Sequence, residues 1–176
     1  RKKGGLNIVP PFAQKNVNIY NGRVEAIASI INFLKRQKEK YVVMADTNIA
    51  VNFDFNAILQ QHIDSGADVT VAYAKQEIPA GLLEIDMTKK DLYYTLDVAE
   101  DGRVKKINVN DKEKGVKNIS MNIYVIERKL LIEQIREAYV NGRTYFERDI
   151  LSPQLDTLKV RGYEHTGYYA RIISMG

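Results

Sequence analysis

The chain has 176 residues, enough for one hydrophobic core and one domain. At 45% hydrophobic and 27% charged it has a globular composition, and no apolar run approaches the roughly 18–20 residues of a membrane span. The absence of cysteine excludes disulfides and thiolate metal sites; the net charge of +4 rests on lysines interleaved with acids, as at 35–40 and 111–114. No basic stripe is combined with stacking aromatics, so neither nucleic acid nor a membrane is expected as a partner. With no apolar signal region after Arg1-Lys2-Lys3, the expectation is a cytoplasmic protein of bacterial type.

Residues 4–12 read as an extended segment ending at Pro10-Pro11. Val24, Ile27, Ile31 and Leu34 recur at helical spacing and predict a helix over 23–35. Residues 41–45 follow as a strand with hydrophobics on both faces, the pattern of a buried parallel strand. Its polar exit, Asp46-Thr47-Asn48, lies where parallel α/β sheets bind ligands. Asp54 is placed to cap a second helix, which carries Ile58, Leu59 and Ile63 and stops at Ser65-Gly66. Residues 69–74 are a second buried strand, so 23–74 alternate helix and strand as in an α/β protein with a parallel sheet.

Beyond Pro79, residues 82–86, 92–98 and 104–109 read as strands, the last two joined by a turn at Asp101-Gly102. An apolar strand over 118–126 leads into a helix over 128–140 that closes at Asn141-Gly142. Residues 146–151 begin a short helix stopped near Pro153, and 158–165 and 168–175 are final strands. The chain starts without Met and ends straight after an apolar strand, so a piece of a longer polypeptide is expected.

Metal chemistry would require several carboxylates or imidazoles to converge. His62, among Gln60, Gln61 and Asp64, reads as a helix-face residue, and His165 as structural. Ser120 and Ser152 lack a nucleophile elbow, and no phosphate-loop motif is present; Gly4-Gly5 is too short for one. By position alone, Asp46 and Asn48 are the functional candidates on an α/β domain.

Several stretches, in order, resemble the nucleotidyltransferase domain of the glucose-1-phosphate adenylyltransferase family. Gly22-Arg23-Val24-Glu25-Ala26 is similar to that family's Gly-Thr-Ala-Asp-Ala. Residues 41–55 and 62–71, with the Gly-Ala-Asp-Val-Thr run at 66–70, resemble its central strand, helix and following strand. Ser120-Met121-Asn122-Ile123-Tyr124-Val125 resembles Ser-Met-Gly-Ile-Tyr-Val, and Phe146-Glu147-Arg148-Asp149-Ile150-Leu151 resembles Phe-Gly-Lys-Asp-Ile-Ile. Gly167-Tyr168-Tyr169 is similar to the Gly-Tyr-Trp that leads toward the family's C-terminal β-helix. The resemblance implies a Rossmann-like nucleotide-diphospho-sugar transferase fold: a mostly parallel central sheet flanked by helices, with a smaller antiparallel or mixed portion. It also implies that the Gly-rich nucleotide loop lies upstream of Arg1 and the β-helix downstream of Gly176.

The departures from the family concentrate in one pocket. The catalytic aspartate of the family's Gly-Asp-His falls on Asn48, or, with a small gap, on Asp46. An amide lacks the negative charge that holds Mg²⁺, the ion used with ATP by active members. The Glu-Lys pair that grips the sugar phosphate falls on Val109 and Asn110, the sugar-site glycine near Tyr94, and the metal-binding aspartate on Tyr145. Ser120, Phe146 and Asp149 are retained. The resemblance is therefore to a regulatory, catalytically weak or inactive subunit of glycogen biosynthesis that assembles with a catalytic adenylyltransferase subunit. This fragment would itself carry no cofactor. Two alternatives stay open: an active sugar-phosphate nucleotidyltransferase with a rearranged site built on Asp46, and an allosteric module binding glucose 1-phosphate, ATP or another phosphosugar effector.

Overall fold

The computed structural model describes residues 22–46, 49–83 and 92–171. The extended segment expected over 4–12, the pair Thr47-Asn48, and the ends of the strands expected at 82–86 and 168–175 lie outside those residues. The elements in chain order are α1 (Arg23–Ser29), α2 (Ile31–Arg36), β1 (Tyr41–Met44), β2 (Ile49–Val51), α3 (Phe55–Ser65), β3 (Val69–Glu77), α4 (Ala80–Leu83), β4 (Tyr94–Val98), β5 (Val104–Val109), β6 (Val116–Glu127), α5 (Arg128–Val140), β7 (Val160–His165) and β8 (Tyr169–Arg171). A π-helical turn, Phe146–Leu151, runs into a 3₁₀ turn, Ser152–Gln154.

Local chemistry accounts for most boundaries. The Asp54 side chain accepts the Ala57 N–H at 3.0 Å and caps α3, and Gly66 closes it at φ 65°. Gly102 sits at φ 85° in the β4–β5 hairpin. The single helix expected over 23–35 is broken at Ile30, φ −110° and ψ 15°. Ser29 Oγ donates back to the Ala26 carbonyl at 2.6 Å, a local bond that competes with the helix ladder. Leu82 and Leu83, expected in a strand, are instead the end of α4, where Leu82 N–H donates to the Pro79 carbonyl.

A mixed sheet runs β5-β4-β6-β3-β7, with β1 joined to β6 beside that path. β3 and β7 pair in parallel, from Val69↔Val160 to Ala74↔His165. β6 is antiparallel to both β3 and β1, so β1 and β3 share a direction yet are separated by a strand from much later in the chain. That wedge was not expected from the helix–strand alternation. β1 is also only half-buried, with Val43 exposed, rather than buried on both faces. β2 and β8 form a separate two-stranded ladder.

Side chains alternate between two cores. On one face Val69, Val71, Leu96, Tyr124 and Ile126 pack under α1, α2, α5 and the 146–151 turn. On the other, Ala72, Ala74, Ile119, Met121, Ile123 and Val125 pack against Ile58 of α3, Leu82 and Tyr169. The long buried strands β3 and β6 are therefore apolar at odd and even positions alike, as strands covered on both faces must be.

Candidate functional site

The site is assembled around an irregularity in β6. Between Val71↔Tyr124 and Tyr73↔Ser120 the register slips, leaving three β6 residues opposite one β3 residue. Asn122, in the middle, takes the left-handed conformation at φ 54°, which Asn tolerates better than most residues. The bulge lets Ser120 and Tyr124, on either side of it, reach one carboxyl group.

That carboxyl is Glu147, in the π-helical turn and 1% exposed. Its Oε2 accepts from Ser120 Oγ at 3.0 Å and from the Tyr124 hydroxyl. The Asn122 backbone N–H donates to Ser120 Oγ at 3.3 Å, leaving the Ser120 proton free for Glu147. The Tyr124 hydroxyl also lies 3.3 Å from Asn122 Oδ1. A protonated Glu147 can thus donate to the Tyr124 oxygen while Tyr124 donates onward to Asn122. Burial outweighs the Tyr124 and Ser120 hydrogen bonds and the Arg23 charge, and pushes the Glu147 carboxyl up to about 7. Burial, then the Glu147 charge, push the Tyr124 hydroxyl up as well.

Arg23 enters from the first turn of α1. Gly22 sets its position: at φ 143°, an added Cβ there would meet the Thr144 carbonyl oxygen at 2.5 Å. The Val24 N–H bonds that same oxygen, so the start of α1 is docked beside the 144–149 segment. Arg23 Nη2 pairs with Asp46, just past β1, and donates to the Asn122 carbonyl at 3.3 Å. Its guanidinium lies 4.8 Å from the Tyr124 ring centroid. Among the described residues, Arg23 Nη1 and Glu147 Oε1 are buried without a hydrogen-bond partner.

The structure distributes the residues singled out from sequence among several environments. Asp46 is the partner of Arg23, and Asn48 lies outside the described residues. Ser120 bonds Glu147, and the buried Phe146 ring packs edge-on to Tyr124 at 5.0 Å. Tyr94 is buried and faces Val109 across β4 and β5; burial, then the charge on Glu147, raise its hydroxyl far above its usual range. Tyr145 carries Arg148 over its ring at 4.4 Å. Asp149 accepts the Thr144 and Tyr145 N–H groups, both at 2.9 Å, and pairs with Arg148. Burial opposes its ionisation, but Arg148 and those two N–H groups together hold the carboxyl below its usual range. Asn110, at φ 48°, clasps Tyr93: its N–H donates to the Tyr93 carbonyl and its Oδ1 accepts the Tyr93 N–H.

Three residues at the centre, Arg23, Tyr124 and Glu147, were not singled out from sequence. The sequence does hold a signal for them, a pair of departures inside motifs that otherwise match: arginine where the resembling motif has threonine, and glutamate where it has glycine. Two opposite charges gained within one motif set are a hint that they meet.

This donor set does not suit Mg²⁺. The Asp46 carboxylate is held by a guanidinium, Asp149 is occupied by two N–H groups and Arg148, and Glu147 is buried and easily protonated. Among the described residues no three His, Cys, Asp or Glu side chains stand close enough to hold a metal ion. No described helix is long and apolar enough to cross a membrane.

A mixed sheet covered by helices on both faces, with a polar cluster built across a bulge in its long antiparallel strand, is a Rossmann-like α/β domain. The chain belongs to the nucleotidyl transferase family, whose profile matches residues 2–164. It is 26% identical over 173 residues to a glucose-1-phosphate adenylyltransferase of Clostridium botulinum, covering 96% of this chain and 42% of that protein. It is also 26% identical over 176 residues to glucose-1-phosphate adenylyltransferase 2 of Vibrio parahaemolyticus, covering 95% and 41%. The crystal structure of HddC from Yersinia pseudotuberculosis shares the fold, with a TM-score of 0.64 at 18% identity over 88% of this chain and 58% of that one. The chain thus spans about two-fifths of the length of these curated relatives.

Proposed function

We propose that this chain is part of a regulatory, catalytically weak or inactive subunit of a cytoplasmic glucose-1-phosphate adenylyltransferase. Such a subunit would assemble with a catalytic one that makes ADP-glucose from ATP and glucose 1-phosphate for glycogen biosynthesis. The names of the relatives support the reaction class. One observation carries the regulatory reading: the Arg23 guanidinium is paired with Asp46, the acid best placed at the exit of β1. A carboxylate in a salt bridge is a poor ligand for a divalent cation, because the cation must displace an existing positive charge. The commitments of Glu147 and Asp149 to internal partners point the same way.

The test follows ADP-glucose formation by the full-length parent protein, alone and mixed with a catalytic adenylyltransferase subunit. The expected result is little product alone and an increased rate in the mixture. Turnover alone at the catalytic subunit's rate would overturn the reading and make Asp46→Asn the next variant to assay.

A further inference from the structure

Of the three buried side-chain atoms without a hydrogen-bond partner among the described residues, two, Arg23 Nη1 and Glu147 Oε1, belong to one cluster. Arg23 already touches both sides of it: Nη2 is on Asp46, and the guanidinium lies over the ring whose hydroxyl is bonded to Glu147. Asp46 is the more accessible acid, its side chain 35% exposed, and water can solvate it if Arg23 leaves. Glu147 has no such recourse: once ionised, it must find a cation or stay buried and unpaired.

We propose that Arg23 is a two-position contact, paired with Asp46 while Glu147 carries its proton and turned onto Glu147 Oε1 when that proton leaves, which releases Asp46 beside residues 47–48.

Several groups face Glu147. Arg23 comes from α1, Asp46 follows β1, Ser120 and Tyr124 come from β6, and Tyr94 comes from β4. Tyr145, Arg148 and Asp149 flank it along its own segment. The Tyr94 and Tyr124 hydroxyls stay neutral near pH 7, and Arg148 and Asp149 offset one another. Arg23 is therefore the cation that a newly ionised Glu147 would draw. The Glu147 carboxyl, pushed up to about 7, sets the range in which the exchange takes place.

The inference rests on the proposed function only in giving the released Asp46 a consequence. The exchange is read from structure and stability, the function from product formation, so either can fail alone. The primary experiment is a pair of crystal structures of the intact, unaltered protein at pH 6 and pH 8.5. The expected result is Arg23 on Asp46 at pH 6 and on Glu147 at pH 8.5, with Glu147→Gln keeping the Asp46 contact at both. The same Arg23 contacts at both pH values in the unaltered protein would overturn the proposal. A second measurement locates the pH at which thermal stability stops falling relative to the matching Glu147→Gln variant, which cancels the opposite His62 contribution. Asp46→Asn, which frees Arg23 for Glu147, should lower that pH by about one unit. An unchanged value in a folded Asp46→Asn protein would also count against the exchange.

Discussion

Each face of the sheet buries an ionisable side chain, His62 on one and Glu147 on the other, and the two are buried in opposite ways. On the α3 side, His62 is 2% exposed, and its Nδ1 lies 2.6 Å from Thr70 Oγ1 with Tyr41 edge-on to the ring. On the α1 and α5 side, Glu147 shares one oxygen between two hydroxyls and leaves the other unpaired. Burial lowers the His62 ring, against weaker pulls from Asp68 and Glu127, and raises the Glu147 carboxyl. Both sites thus favour a neutral side chain, but their linkages to pH have opposite sign. His62 contributes stability that is present above about pH 6.5 and is lost as pH falls. Glu147 contributes stability that is present below pH 4.5, its usual value, and is lost as pH rises toward 7. A site satisfied by a single partner behaves as scaffolding. One with surplus donors and an orphaned oxygen retains something to exchange.

The contrast can be broken most severely at Phe146, which is 2% exposed and anchors the Glu147 turn against Tyr124. Phe146→Ala should cost about 3–5 kcal/mol in denaturant unfolding of the parent protein; a loss below 1 kcal/mol would mean the turn is held by something else. Glu147→Gln sharpens the comparison without removing the side chain. Relative to the variant, the unaltered protein should lose stability between pH 4.5 and 7 and be less stable at pH 8 by on the order of 3 kcal/mol, the His62 contribution being common to both. Parallel thermal-melt profiles for the two proteins would contradict the raised carboxyl. On the other face, Thr70→Val strands His62 Nδ1 and should cost about 1–3 kcal/mol at pH 7.5 by the same unfolding measurement. A negligible change would mean that the His62–Thr70 bond is not holding that face.

Much of this architecture was legible because it is local. The Asp54 cap and the Gly66 stop follow from side-chain size and hydrogen-bonding capacity, and the structure has both. The insertion of β6 between β1 and β3 was not legible, because nothing within residues 41–77 encodes a partner arriving from 116–127. Apolar residues on both faces of β1 suggested a central strand, yet it pairs over only four residues and is half-buried. Leu82-Leu83 read as a strand because two adjacent apolar residues cannot distinguish a short strand from one helical turn. In the site, Asp46, Ser120 and Phe146 were visible as motif members, and the structure places each beside the Glu147 cluster. Arg23 and Glu147 lie far apart in sequence, and only the fold makes them neighbours.

The pairing of β3 also bears on how the chain is made. Its two edges are taken by β6 and β7, so a ribosome that has finished residue 77 has released a long apolar strand with neither native neighbour yet synthesised. At typical elongation rates the wait for residue 165 is roughly ten seconds, during which β3 is a template for any other extended segment. Non-local pairing of this kind slows folding and leaves the nascent chain dependent on protection from aggregation until its last strands emerge.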